Sequence, residues 1–402
     1  MKKLIVSGAE AFGYGPCSKL VSILSNANII KSDFFGNGTA LTFARSNREC
    51  FGRISEIKTG EYKKIPWDRY LAVLSVMDYD LAIWGWWNKK PVIYVDSLFW
   101  FWRWKKGLGI RARALVKLRD QNDLAGFEKA WRGLTVHQKQ YFAHYLSSCS
   151  IIQGDLQKER LMNFPLGKKV LSVGPILDMR YKRPEKRRYI IVNFSGLLSP
   201  VVDNKMANKY IQMVSGVIRP LINADRKFVF LINPKIKLTQ TLPKGVEKAS
   251  FSHKKMLECL NKAKLIFTPP GITSNLEAIK YGVPICFLPE QHYGHLSQYF
   301  RFTKYLTKSG FFDGFLIQID EKPKTSNEML ETKALYRKID EILKGYEPKN
   351  WKLAMNRMAI IIDSPSKLRD LAKAQERHFK FQKQKRDESS IDEIIRELEK
   401  YL

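Results

Sequence analysis

The sequence predicts an α/β protein of two domains built on parallel sheets, and three observations carry the prediction. Short apolar runs of four to six residues recur without alternation, as strands buried on both faces do. Helical patterns set off by turns lie between these runs, which makes βαβ units. A chain of 402 residues also exceeds what one core ordinarily carries.

In the first half the strand-like runs are 4–7, 81–84, 92–95, 150–153 and 170–173. In the second half they are 189–194, 228–232, 265–268 and 285–288. Helical spacing over 206–222, 254–261 and 274–281 connects the later runs. Between them lies a segment holding Arg180, Lys182, Arg183, Pro184, Lys186, Arg187 and Arg188. It is charged and lacks apolar periodicity, as an interdomain linker does. The expected domains are therefore 1–178 and 186–350. A helical extension follows over 351–402, basic at Arg369, Lys373, Arg377, Lys380, Lys383, Lys385 and Arg386 and acidic-rich over 391–402.

Hydrophobic residues make up 45% of the chain, enough for packed cores. Lys and Arg total 69 against 39 Asp and Glu, a net charge of +30. That excludes the near-neutral surface of an ordinary metabolic enzyme. It points to a polyanionic partner: nucleic acid, an anionic membrane surface or a phosphorylated substrate. The five cysteines are scattered and form no CxxC, which argues against a disulfide framework or a zinc site and fits a reducing cytosol. The basic opening is followed by too few apolar residues for a signal peptide, and no apolar run approaches the ~20 residues of a membrane span. The expectation is a cytoplasmic protein, peripheral to a membrane at most.

The most informative stretch runs from Leu265 to Gln291. A buried strand ends at Pro269, Pro270 and Gly271, where glycine lets backbone approach a ligand. Thr273 or Ser274 is placed to cap the next helix, whose free N–H groups favour phosphate. Glu277, expected in the first turn, can accept hydrogen bonds from ribose hydroxyls. An ordinary capped strand–turn–helix explains the same residues equally well.

The full pattern is Gly271-x-x-Ser274-x-x-Glu277, then Gly282-x-Pro284, a strand, Pro289-x-Gln291 and a later Gln298. It resembles the nucleotide-sugar site of GT-B glycosyltransferases, especially the cell-wall N-acetylglucosaminyltransferase and UDP-glycosyltransferase branch. The resemblance implies two facing Rossmann-like domains and an inverting transfer from a UDP-sugar, with no obligatory metal or other cofactor. It implies that Gly271, Thr273 and Ser274 meet the pyrophosphate, Glu277 the ribose, and Gln291 and Gln298 the donor sugar. Ser195 and Gly196, after the first strand of the second domain, stand where the family has a phosphate-binding glycine pair. Pro270-Gly271 likewise replaces the usual Ser-Gly.

The opening of the first domain, from Gly8 through Glu10, Gly13, Tyr14 and Gly15 to Lys19, narrows the resemblance, together with Tyr94, Asp96 and Trp100. These are similar to cytosylglucuronate synthases, which implies a cytosine-like acceptor held by Gly13, Tyr14, Gly15 and Trp100. Glu10 sits in a strand-to-helix loop with Pro16 suited to the first helical turn. An inverting transfer needs a base for the acceptor proton. Glu10 is the first candidate and Asp96 the second. A solvated loop acid and a capping aspartate, respectively, explain them as well.

Other signals carry less. Gly13-x-Gly15-x-x-Ser18 lacks the third glycine of a dinucleotide fingerprint. Asp78 and Asp80 imitate a metal-binding pair but read as a helix-to-strand turn before the run at 81. His292 and His295 flank Gln291 and line a donor pocket in this reading, while the other histidines show no ligand spacing. The aromatic-basic stretch from Trp84 to Arg119 fits a base-stacking surface, a lipid-headgroup seat or a pocket wall with a solvated helix. A nucleotide-sugar 2-epimerase is the same-fold alternative. A non-catalytic nucleic-acid-binding protein on a GT-B-like fold is the different-class one.

Overall fold

Parallel strands buried on both faces organise each half of the chain. The structure is a computed structural model describing residues 3–102, 104, 107–154, 169–178, 180–182, 184, 186–295, 298, 328–346, 351–378 and 389–402. The chain divides into two units, Met1–Asp178 with Phe381–Leu402, and Met179–Lys380.

In the first unit the strands are β1 (Lys3–Ala9), β2 (Ile30–Gly36), β3 (Ile54–Glu56), β4 (Val73–Val76), β5 (Val92–Asp96), β6 (Cys149–Gln153) and β7 (Lys169–Val173). They pair in parallel in the order β3-β2-β1-β4-β5-β6-β7. The helices are α1 (Gly15–Leu24), α2 (Gly38–Ser46), α3 (Tyr79–Trp87), α4 (Leu108–Asp120), α5 (Leu124–Arg132) and α6 (Val136–Leu146). The sheet has a core on each face. Ile5, Leu74 and Ile93 join one, and Val6, Val73 and Tyr94 the other. That is why these strands read as unbroken apolar runs.

The run at 81–84 is not a strand. It lies in α3, and the strand is β4, just upstream. Asp78 and Asp80 therefore open a helix rather than lead into a strand. The Asp78 carboxylate accepts the Leu81 N–H at 3.0 Å as N-cap. A short all-apolar run carries no period, so it cannot separate a buried helix from a buried strand. Trp84 and Trp86 are buried in the core with Phe127 and Trp131, and Arg119 lies 4.3 Å over the Trp86 ring. They wall a core rather than offer a stacking surface. Arg103, Lys105 and Lys106 of that stretch lie outside the described residues.

In the second unit β8 (Tyr189–Phe194), β9 (Phe228–Ile232), β10 (Val246–Ala249), β11 (Ala263–Thr268) and β12 (Ile285–Phe287) form a parallel sheet ordered β10-β9-β8-β11-β12. Its helices are α7 (Asn204–Ile218), α8 (His253–Asn261), α9 (Ile272–Lys280), α10 (Glu328–Leu343), α11 (Trp351–Ile362) and α12 (Pro365–His378). Asp203 caps α7 and Ser252 caps α8. Gly282, at φ 66°, ends α9 by bonding Ile279 O, and Val283 N–H reaches Ala278 O at 2.8 Å. This is a Schellman closure, which glycine adopts without a Cβ clash. Gln375 of α12 donates to Ile285 O at 2.7 Å and accepts Ile285 N–H at 2.9 Å, so a side-chain amide bonds β12 as a neighbouring strand would.

The residues from 351 onward do not form a body of their own. α11 and α12 belong to the second unit, while α13 (Ser390–Glu399) returns to the first. Ile391, Ile394, Ile395 and Leu398 enter the core with Ile5, Leu20 and Ile151, and Glu397 pairs with Lys169 and Lys400. Lys380, Lys383, Lys385 and Arg386 lie outside the described residues. Ile394→Ala should lower the stability of the first unit by about 2–4 kcal/mol, because a fully buried side chain leaves a cavity. Urea unfolding followed by tryptophan fluorescence measures it.

Candidate functional site

In both sheets the strand order reverses once, between β1 and β4 and between β8 and β11. Chains leaving neighbouring parallel strands there go to opposite faces and open a crevice at the carboxyl ends. The candidate residues collect at these two places.

In the first unit β1 ends at Ala9 and Glu10 follows, its N–H bonded to Val76 O at 3.0 Å. β4 ends at Val76, and Met77 turns the chain at φ 62°, an uncommon conformation for a side-chain-bearing residue. Met77 is held by its own N–H to Val95 O and by Gln140 Nε2 and Ser97 Oγ. Asp78 follows, and Asp96 ends β5. Three carboxyl groups from three adjacent strands thus share one sheet end. Burial, then the charges of Asp78 and Asp96, push Glu10 up to about 8. Burial, then the charge of Asp80, raises Asp78 to about 7, against the bonds from Leu81 N–H and Tyr62 OH.

Asp96 is fully buried and already occupied. Oδ1 accepts Leu98 N–H at 2.6 Å. Oδ2 accepts Trp102 Nε1–H at 2.7 Å and meets His144 Nε2 at 2.8 Å. His144 Nδ1 lies 2.5 Å from Ser150 Oγ. The Leu98 bond satisfies the capping reading of Asp96, and a second base finds its lone pairs taken. Asp80 likewise accepts Trp131 Nε1–H at 2.6 Å. Gly13, at φ 83°, has open space where a Cβ would stand, and Tyr14 precedes α1 without a side-chain cap. The Tyr14 ring lies 5.3 Å from Phe43, and Trp100 lies half-buried beyond Asp96.

In the second unit Asn193, at the end of β8, donates to Thr268 Oγ1 at 3.3 Å, which ties it to the end of β11. Its Oδ1 accepts Ser195 N–H and Oγ–H at 3.1 and 2.6 Å, and Asn233 Nδ2 bonds Ser195 O. The Ser195 hydroxyl proton is therefore directed at Asn193. Gly196 has open space around it.

Helix α9 starts two residues earlier than a Thr273 cap would dictate, and three earlier than a Ser274 cap would. Its N-cap is Gly271, with no side-chain cap, and Thr273 and Ser274 occupy the first turn. Uncapped first-turn N–H groups make an anion site. Glu277 consequently lies in the second turn, buried, with Oε1 3.9 Å from His253 Nε2. Gln291 is buried after β12 and Gln298 half-buried. Glu290 has no solvent exposure, and no other described residue hydrogen-bonds its carboxyl group; burial pushes it up to about 8, against its own backbone N–H and the charge of Lys338. Sequence reasoning discounted Asp78, His144 and His253 and gave Glu290 no role of its own. Only the adjacency of Glu290 to Gln291 offered a signal.

Among the described residues no helix is long and apolar enough to cross a membrane. The solved structure of the glycotransferase of kitacinnamycin matches the whole of this chain over its own whole length, with a TM-score of 0.52 at 13% identity. The fold is GT-B. Two further structures of this kind have TM-scores just below that. The calicheamicin glycosyltransferase CalG4 scores 0.48 at 13% identity over 100% of this chain and 98% of its own. A ugt transferase from Siraitia grosvenorii in complex with UDP scores 0.49 at 12% over 99% and 100%. No protein-family model and no curated protein sequence matches the chain. The GT-B assignment thus rests on two parallel sheets and their helices, not on sequence identity.

Glu290 permits a test of the second unit. Folded, it holds its proton to about pH 8; unfolded, it releases it near the ordinary 4.5. Its neutral form costs nothing extra below pH 4.5, and stability is lost as pH rises from there towards 8. Glu290→Gln should match the native protein at pH 4.5 and exceed it at pH 8 by more than about 1 kcal/mol in urea unfolding.

Proposed function

We propose that this GT-B protein is an inverting glycosyltransferase that takes its sugar from a UDP-sugar. The observation that carries the reading is the second crevice, where the open turn at Gly196 and the uncapped N-terminus of α9 follow neighbouring strands tied by Asn193 and Thr268. A diphosphate fits such a place, because backbone N–H groups and the helix dipole both favour negative charge. Most of the excess positive charge also falls in residues 179–380.

In this reading Gly271, Thr273 and Ser274 hold the pyrophosphate with Gly196 and the Ser195 backbone. Glu277, steadied by His253, takes the ribose, and Gln291 and Gln298 take the sugar. Glu10 accepts the proton of the acceptor as the acceptor's heteroatom bonds C1. The C1–O bond to the diphosphate breaks, and UDP leaves with that electron pair. Asp78 and Asp96 raise the proton affinity of Glu10, which suits a base working near neutral pH. The acceptor class we favour is a planar, cytosine-like nitrogen heterocycle. It is supported by the sequence resemblance, by half-buried Tyr14 within the Gly13–Gly15 loop and by half-buried Trp100 in the segment after β5. Hexosyl or glucuronosyl transfer, and cytoplasmic residence beside an anionic partner, belong to the same proposal.

Mass spectrometry of products from mixed UDP-sugars with cytosine, nucleotides or DNA tests the reaction; no transfer to any heteroatom acceptor would refute it. Glu10→Gln should lower turnover by about 10²–10⁴ while UDP-sugar affinity holds. Near-native turnover would remove Glu10 as base. Glu10 must be ionised to act, so kcat/KM should climb with pH, be half-maximal at about pH 8 and level off above it. Asp78→Asn should move that limb to lower pH, which a pH–rate profile reads directly. Glu277→Ala should weaken UDP binding in calorimetry; equal affinity would cancel the ribose assignment.

A further inference from the structure

His295 comes from the segment after β12, yet it lies against the start of α9. Its Nε2 is 3.7 Å from where a β-carbon on Gly271 would stand. The ring packs against His292, with centroids 3.9 Å apart and planes tilted by 31°. His292 is itself pinned, with Nδ1 2.9 Å from Glu328 Oε1 at the start of α10. The same Glu328 oxygen accepts Gly294 N–H at 2.9 Å, and Thr332 Oγ1 accepts Tyr293 N–H at 3.2 Å. A β-carbon at Gly294 would crowd the His292 ring, at 3.1 Å from it. One helix thus fixes a turn, the turn fixes His292, and His292 supports the imidazole beside Gly271.

A second group points the same way. Asn275 is fully buried, and neither of its amide atoms has a hydrogen-bond partner among the described residues. Side chains on a helix lean towards its N-terminus, so Asn275 leans back towards Gly271. An unpaired buried amide costs free energy unless something arrives to bond it. His295 Nδ1 also lacks a partner among the described residues.

We propose that His295 is a diphosphate ligand, donating an imidazole N–H to the phosphate at the N-terminus of α9, and that Glu328 is the positioning residue that holds it there through His292. The inference rests on the donor-site reading above and assigns it two further residues. Burial and the neighbouring His292 favour the neutral ring, which still has one N–H to give. As the C1–O bond breaks, negative charge grows on the leaving diphosphate. An N–H donor fixed in advance stabilises that charge without reorganising.

Calorimetry of the full chain with UDP and, separately, with uridine tests the proposal. His295→Phe should weaken UDP by at least about tenfold, the loss of a hydrogen bond to a charged group, and leave uridine unchanged. His295→Gln, which keeps an N–H donor, should recover part of the loss. Glu328→Ala should lower the UDP affinity and spare uridine, whereas general damage to the unit would weaken both. If the native protein binds UDP and His295→Phe and His295→Gln bind it equally well, the His295 role is wrong and the donor site stands. If His295→Phe loses uridine and UDP alike, the effect is structural and the ligand role is wrong. If the native protein binds neither UDP nor uridine, the donor-site reading falls and takes this proposal with it.

Discussion

Between β1 and β4, and again between β8 and β11, the backbone leaves neighbouring parallel strands towards opposite faces of the sheet. Helices cannot cover the strand ends at such a place, so the turns that follow stay accessible. Their composition then decides what can settle there. In the first unit the turns carry Glu10 and Asp78, with Asp96 one strand further on. In the second they carry Asn193, Ser195, Gly196 and Gly271. One sheet end gathers acid, and the other gathers open backbone donors.

The acids at the first sheet end are handled unequally, and that inequality gives them different capacities. Asp96 sits in full burial because three donors meet its two oxygens, and His144 is fixed in turn by Ser150. A carboxylate so bonded is held in place. Glu10 receives no such compensation and feels the charges of Asp78 and Asp96. Its proton is therefore held up towards neutrality, as that of Asp78 is, which is what acid–base chemistry requires. The second sheet end is built differently. Asn193 and Asn233 spend their amides on shaping the turn at Ser195, and α9 begins at a glycine that offers no side chain of its own.

Much of this was legible before any coordinates. The buried strands at 92–95, 150–153, 189–194 and 228–232 announce themselves, because a strand covered on both faces carries a short, largely apolar run without alternation. Gly282 marks the end of α9 for a backbone reason that neighbouring residues alone express. The strands β2 and β10 escaped notice because Lys31, Ser32 and Asp33, or Glu247 and Lys248, break the apolar run. The 81–84 run misled because four apolar residues fit either a strand or a helix, and only the cap at Asp78 separates them. Thr273 and Ser274 looked like caps because their chemistry suits one, but the helix starts where the chain turns, at Gly271.

By itself, then, the sequence determined the α/β class, the buried strands and the strand–turn–helix around Gly271. Each depends on residues within a few positions of one another, and periodicity records such local demands. Tertiary structure alone decided that α13 closes the core of the first unit, that His144 locks Asp96, and that Asp78 and Asp96 press on Glu10. It alone set His295 beside Gly271. Charge coupling and desolvation depend on distances between residues far apart in the chain, and no local pattern encodes those distances.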